Sequence, residues 1–237
     1  MSNGWFEFKH FTVFHDKCGM KVGTDGVLLG AWAAGGNKIL DIGTGSGLIS
    51  LMMSQRFPNA KITGIDIDEN AIEQATENVK RAGAEDHVEI IGKSVQEIAN
   101  NEKYTGTFDA VISNPPYFSN SLKSPDCSRT LSRHNESLPF SDLVRCAKKL
   151  MSEDGSFSVI LPVEAADVFL SECAIYGLFL TRRFNIKTVS RKPAKRCLLE
   201  LRKHYEKDIT EQDVILNNSD GSRSEWYQQL TSDFYKW

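Results

Sequence analysis

The sequence predicts an α/β fold: a doubly wound, mostly parallel sheet of seven strands with an antiparallel hairpin at one edge. Three observations carry this reading. From Lys38 onward, short apolar runs alternate with helical patterns, and each strand-helix-strand unit implies a right-handed crossover between parallel strands. The first apolar run ends in a glycine-rich turn, "DIGTGSGL" (41–48), placed where such folds bring backbone close to a ligand. No Gly/Ser/Pro-rich linker, repeat or low-complexity tract divides the 237 residues, and a hydrophobic content of 41% suffices for one core.

The elements follow in order. "KILDI" (38–42), "ITGID" (62–66), "VEII" (88–91), "FDAVIS" (108–113) and "SFSVILP" (156–162) are short apolar runs bounded by turn residues, and read as strands. Helical periodicity fills the gaps at Leu48 to Arg56, Glu69 to Ala82 and Pro139 to Met151, and again from about Ala165 to Tyr176. "FLTRRFNIKTV" and "RCLLELRK" then follow with no helix between them, so they pair antiparallel. Upstream, "KVGTDGVLLGAW" (21–32) predicts a short helix capped by Thr24 or Asp25 that turns Val27, Leu28 and Leu29 inward. The aromatic-rich "SEWYQQLTSDFYKW" (224–237) is helix-prone and docks an apolar face. The chain is thus one domain, 1–237, with an N-terminal segment (1–37), a core (38–203) and a C-terminal extension (204–237).

Composition narrows the function classes. The five cysteines, Cys18, Cys127, Cys146, Cys173 and Cys197, are odd in number and never spaced Cys-x-x-Cys. Free thiols in a reducing cytoplasm are expected, with neither a disulfide framework nor a metal site. "MSNGWFEFKH" has no apolar segment after a basic start, and no run of about 18 apolar residues occurs. A cytoplasmic protein with no membrane contact is expected, and the lack of a long exposed apolar repeat suggests a monomer. The net charge of −3 does not mark a nucleic-acid binder. Yet residues 182–207 hold ten Lys/Arg against two acids. Such a run is often only a solvated face, and it acquires meaning beside an active site.

The motifs supply that site. The turn is spaced D-x-G-x-G-x-G, not the dinucleotide G-x-G-x-x-G, for Leu48 stands where the third glycine of that fingerprint would fall. Asp66 ends the second strand 23 residues after Gly43, where an acid accepts hydrogen bonds from ribose hydroxyls. Its plainer use, capping the next helix, suits Asp68 better. After the fourth strand comes Asn114-Pro115-Pro116-Tyr117. Proline cannot donate to a sheet ladder and fixes φ, so the chain leaves the strand in one rigid, extended shape with carbonyls and the Asn amide available.

"ILDIGTGSGLIS", "GIDID" and "SNPPYF", in this order, resemble the class I S-adenosylmethionine-dependent methyltransferases, a Rossmann-like family, over roughly residues 20 to 203. The resemblance implies S-adenosylmethionine as cofactor. It implies that Gly43, Thr44, Gly45, Gly47 and the backbone around them hold its methionyl part, with Asp41 near the amino group and Asp66 and Ile67 at the nucleoside. Many such enzymes bond the cofactor's adenine with an acid after the third strand, where this chain reads "IIGKSV" and offers Ser94.

The acceptor that suits Asn-Pro-Pro-Tyr is a planar nitrogen whose lone pair is delocalised. If the Asn114 side-chain oxygen and the Pro115 carbonyl each accept one N–H, the amine is held toward tetrahedral geometry with its lone pair aimed at the methyl donor. Pro116 keeps the loop rigid before substrate arrives, and Tyr117 stacks on the planar group. Adenines in DNA or RNA, rRNA guanine and protein glutamine amides all meet this description. There is little room for a DNA target-recognition region or for the helical N-terminal domain of glutamine-modifying relatives. A fold kept only as an RNA-binding module would tolerate an eroded turn, which this chain does not have.

"KVGTDGVLLGAW", "RHNESLPFSDLVRCAKKLM", "RKPAKRCLLEL" and "LTSDFYKW" extend the likeness over nearly the whole chain, to the bacterial tRNA(Val) adenine-N6 methyltransferases. This implies a tRNA substrate, with the adenine next to the anticodon as target. It also implies that Lys21 and Thr24, with Asp25 a lesser contributor, close the cofactor pocket. A loop base is splayed out more cheaply than a duplex base. Candidate phosphate contacts are Arg129, Arg133, Arg191, Lys192, Lys195 and Arg196.

Overall fold

The computed structural model describes residues 3–116 and 138–236. An N-terminal ribbon, β1 (Trp5–Glu7) and β2 (Thr12–Phe14), leads into α1 (Thr24–Trp32). The alternation then runs β3 (Lys38–Ile42), α2 (Leu48–Arg56), β4 (Lys61–Asp66), α3 (Glu69–Arg81), β5 (Val88–Gly92), α4 (Val95–Asn100) and β6 (Phe108–Ser113). After it come α5 (Phe140–Leu150), β7 (Met151–Pro162), α6 (Val163–Ile175), β8 (Phe179–Lys187), β9 (Arg196–Arg202), β10 (Thr210–Ile215) and α7 (Glu225–Thr231).

Eight strands form one sheet in the order β10-β8-β9-β7-β6-β3-β4-β5. β3 to β7 are mutually parallel, and β9 runs against both β7 and β8. The central strands are apolar on both faces because helices cover both. Along β3, successive side chains part: Ile39 belongs to the core layer that holds Val27, Met52 and Phe234, and Leu40 to the opposite layer with Leu143 and Phe169. The chain leaves β3 outward through β4 and β5, then returns to place β6 on β3's other side. At that reversal the connections diverge and leave a crevice at the carboxyl ends of β3 and β6.

Several expectations are corrected. The β8–β9 pair does join the sheet antiparallel on the β7 side, but it is not the outermost element: β10 adds an eighth strand beyond it, parallel to β8. Thr210 to Asp213 are exposed and only Val214 of β10 is buried, so this strand carries no apolar pattern. It is held by the ladder and by Lys187–Asp213 and Arg183–Glu211 ion pairs. The first turn of α1 is capped by Gly23 without a side-chain bond, not by Thr24 or Asp25, although Val27, Leu28 and Leu29 are buried as expected. The ribbon and α4 went unforeseen. The C-terminal segment does form a helix, α7, capped by Ser224.

Candidate active site

The glycine turn joins β3 to α2. Gly43, Gly45 and Gly47 all hold positive φ, at 71°, 55° and 79°, a region costly for residues with a Cβ. A Cβ added at Gly43 or Gly45 would meet nothing within 4 Å among the described residues, whereas at Gly47 it would lie 3.3 Å from Ala75 Cβ. Two of the glycines therefore face open space, and the third permits close packing on α3. The amides of Gly43 and Thr44 both donate to the Ile65 carbonyl at 2.9 Å, tying the turn to β4.

Two carboxylates brace this turn from opposite sides. Asp41 is fully buried in β3, and its Oδ2 accepts from Thr44 Oγ1 (2.7 Å), Ser50 Oγ (2.8 Å) and Ser50 N (3.2 Å). Its Oδ1 is buried with no hydrogen-bond partner among the described residues. Burial raises the carboxyl pKa to about 6, against the opposing effect of those hydroxyls. At the tip of β4, Asp66 accepts from Gly45 N (2.9 Å), Ile67 N (2.8 Å) and Asp68 N (3.1 Å), which leaves further acceptor sites on a partly exposed carboxylate. Ile67 beside it is 58% exposed, an aliphatic surface for a flat ring. Ser94 caps α4: its Oγ accepts from Glu97 N (3.2 Å) and donates to Glu97 Oε2 (2.7 Å). The hydroxyl is committed to a capping box whose sequence signature, Ser94-x-x-Glu97, was present to be read.

Asn114 leaves β6 across the crevice from the turn, for Ser113 is in register with Ile42 and its Oγ donates to the Ile42 carbonyl at 3.0 Å. A strap, residues 15–23, closes the third side. A cavity of about 400 Å³ is bounded by this strap, including Lys21, by Thr24, by Gly43 to Ser46 and by Asn114. Asp41, Gly47, Asp66, Ile67 and Ser94 lie outside that lining, the Asp66 carboxylate one hydrogen bond behind Gly45. Tyr117, Arg129 and Arg133 lie outside the described residues.

Sequence reasoning missed Met20 and Asn78. Met20 is 57% exposed in the cavity wall, with its Sδ 4.0 Å from Asn114 Nδ2. Asn78, on α3 and fully buried, donates to the carbonyls of Phe14 (2.7 Å) and Ser46 (2.9 Å) and accepts from Phe14 N (3.0 Å). One amide thus binds the strap's root and the glycine turn together. Gln74, one turn earlier, accepts from Lys17 N at 3.0 Å.

The basic run separates into two classes. Arg182 and Arg202 pair with buried Glu200, Arg183 with Glu211, Lys187 with Asp213, Lys203 with Glu153 and Arg196 with Asp25 (2.8 Å). Arg196 and Asp25 are therefore bound to each other, joining the hairpin to the start of α1. Arg191, Lys192 and Lys195 are exposed at the β8–β9 tip. Since Arg196 is in register with Pro162 at the end of β7, this tip stands on the same edge of the sheet as Asn114.

The chain matches the methyltransferase small domain family over residues 17–162. Two curated relatives are similar along their whole length, from Phocaeicola vulgatus (45% identity, 99% of each chain) and Bacteroides thetaiotaomicron (42%, 99% of this chain and 98% of the relative). Both are named tRNA1(Val) (adenine(37)-N6)-methyltransferase. The chain belongs to that family. A solved structure from Agrobacterium tumefaciens, titled a "predicted O-methyltransferase", superposes with a TM-score of 0.69 at 20% identity, over 90% of this chain and 98% of that one, and shares the fold. Within this tRNA (adenine-N6)-methyltransferase family member, the site suits S-adenosylmethionine. The open cradle before Gly43 and Gly45, the partnerless buried oxygen of Asp41 and the remaining acceptors of Asp66 match a ligand carrying an ammonium and a ribose.

Proposed function

We propose that this protein methylates the exocyclic N6 of an adenine in tRNA, the adenine 3′ of the anticodon of tRNA(Val), with S-adenosylmethionine as donor. The observation that carries this reading is one cavity shared by the glycine turn and Asn114, at the strand-order reversal. When bound, S-adenosylmethionine supplies an electrophilic methyl on a sulfonium.

The chain's own residues bind and aim. Gly43, Thr44, Gly45 and Gly47 shape the cradle, Asp41 balances the ammonium, Asp66 accepts from the ribose and Ile67 packs on the adenine. Lys21 and Thr24 close the pocket over it. With Asn114 Nδ2 turned toward Met20, Oδ1 lies at the other end of the amide, ready to accept one N–H of the target amine. The Pro115 carbonyl accepts the second, and Pro116 and Tyr117 fix and stack the base. Holding both protons on carbonyl oxygens draws the nitrogen lone pair out of conjugation, so no strong base is required. Arg191, Lys192 and Lys195 take phosphates of the anticodon arm. We place the enzyme in the cytoplasm as a monomeric single domain; among the described residues no helix is long and apolar enough to cross a membrane.

The test is methyl transfer from labelled cofactor to tRNA lacking this modification, with nucleoside analysis. N6-methyladenosine with wild type and none with an Asn114→Ala variant that still binds cofactor is the expected result. Transfer by Asn114→Ala at the wild-type rate overturns the assignment.

A further inference from the structure

A second cavity, of about 440 Å³, lies on the far side of the strap. Val22, Gly23 and Thr24 line it from one side and the cofactor cavity from the other. A single thickness of chain therefore separates the two. Thr24 is four residues from Met20, at most about 14 Å of extended chain, and Met20 sits against Asn114. The other walls come from the ribbon and the C-terminal segment, neither of which the reaction uses.

These walls are aromatic and cationic. Tyr235 stacks on Phe8 (5.8 Å between centroids, 11°) and meets Phe6 edge-on at 5.7 Å, so the rings that border the cavity are held rigid. Arg223 is exposed, 5.3 Å from the Tyr227 ring centre, and donates to Asn217 Oδ1 at 2.8 Å. Lys236 pairs with Glu7 at 2.7 Å, but both side chains are more than half exposed. Such a pair contributes little, so an incoming anion can replace Glu7 at low cost. Fixed rings beside exposed cations are the platform on which single-stranded nucleic acid stacks its bases and seats its phosphates. The volume is that of a small-ligand site.

We infer that this cavity is a subsite for a nucleotide flanking the target adenine, with its base against Phe6 and Tyr235 and its phosphate between Arg223 and Lys236. The inference rests on the RNA substrate proposed above. Among the described residues of the lining Glu7 is the one acid, and it opposes the phosphate while it neutralises Lys236.

Binding of unmodified tRNA transcript, followed by fluorescence anisotropy across a salt series, tests this without relying on turnover. Arg223→Glu combined with Lys236→Glu weakens binding about tenfold, and lowers the slope of log K against log salt by between about 1 and 2. Cofactor affinity stays unchanged, and Arg223→Lys with Lys236→Arg restores tRNA binding. Glu7→Gln tightens binding, a gain that a disturbed fold cannot produce. Wild-type affinity and salt slope in the double reversal overturn the subsite, as does failure of the wild-type protein to bind tRNA. If the wild type binds tRNA, loses affinity on reversal and transfers no methyl, the subsite stands and the proposed reaction falls. If it methylates tRNA while the reversal binds normally, the reaction stands and the subsite falls.

Discussion

Asn78→Ala removes one side chain and three hydrogen bonds, at 2.7, 2.9 and 3.0 Å, from a fully buried position. A net hydrogen bond is worth about 1 kcal/mol, and a buried group left unpaired costs up to about 3. Two carbonyls and one amide lose their partner at once. Against this, alanine is the better helix former by roughly half a kcal/mol. The net loss is about 3 kcal/mol, which lowers the melting temperature of a chain this size by roughly 6–12 °C. Gln74→Ala on the same helix face removes a single bond, from Lys17 N, and costs about 1 kcal/mol.

The two substitutions also differ in reach. Gln74 accepts its hydrogen bond from the strap, but Asn78 holds the Ser46 carbonyl inside the glycine turn. Calorimetric titration with S-adenosylmethionine at a temperature where both variants are folded should show weaker binding for Asn78→Ala than for Gln74→Ala. Equal melting temperatures and equal cofactor affinities in the two variants would refute the idea that this amide braces strap and turn together.

Three further outcomes follow from the same geometry. The folded-state pKa of Asp41, about 6, lies above its ordinary 3.8, so between these values the native state binds more protons than the unfolded chain. Stability then falls by about 3 kcal/mol as pH rises from about 4 to 6, and denaturant titrations of Asp41→Asn should lack that fall. Ser94→Ala removes the α4 cap, costing about 1 kcal/mol, and its effect on cofactor affinity decides whether Ser94 touches the cofactor: unchanged binding assigns it to capping alone. Reversing Arg191, Lys192 and Lys195 to Glu should lower the salt slope of tRNA binding by about 2 to 3; Arg196→Ala should instead weaken cofactor binding through Asp25, and an unchanged slope in the triple variant removes the tip from the RNA surface.

What the sequence made legible was local. Each central strand is an apolar run closed by a turn, so β3 to β6 could be read to within a residue, whereas β7 begins at Met151, five residues before its apolar run; the glycine turn and Asn-Pro-Pro carry their chemistry in adjacent positions. β10 could not be read, because Thr210 to Asp213 are polar and exposed and become a strand only through pairing with β8. The ribbon's two strands are three residues each, and Lys9 N bonds the carbonyl of Phe234 more than two hundred residues away. Asn78 reads as one more polar residue of an amphipathic helix, since its partners, Phe14 and Ser46, are 64 and 32 residues off. Met20 has no pattern at all.

The charge run shows how a fold edits what composition reports. Ten cations in residues 182–207 look like one patch, yet six are spent on carboxylates within the structure. Of the remainder, Arg191, Lys192 and Lys195 stand exposed at the hairpin tip on the Asn114 edge. Screening reduces interactions between exposed charges more than about 8–10 Å apart, so a net charge of −3 spread over the whole surface does little to cancel three cations at one edge. The pairing also explains why Arg196 differs from its neighbours. Bound to Asp25 in the wall of the cavity that Asn114 also lines, it ties the β8–β9 hairpin to the start of α1, so a tRNA phosphate that drew Arg196 away, if the tip takes phosphates as proposed above, would loosen that wall before any base entered the pocket.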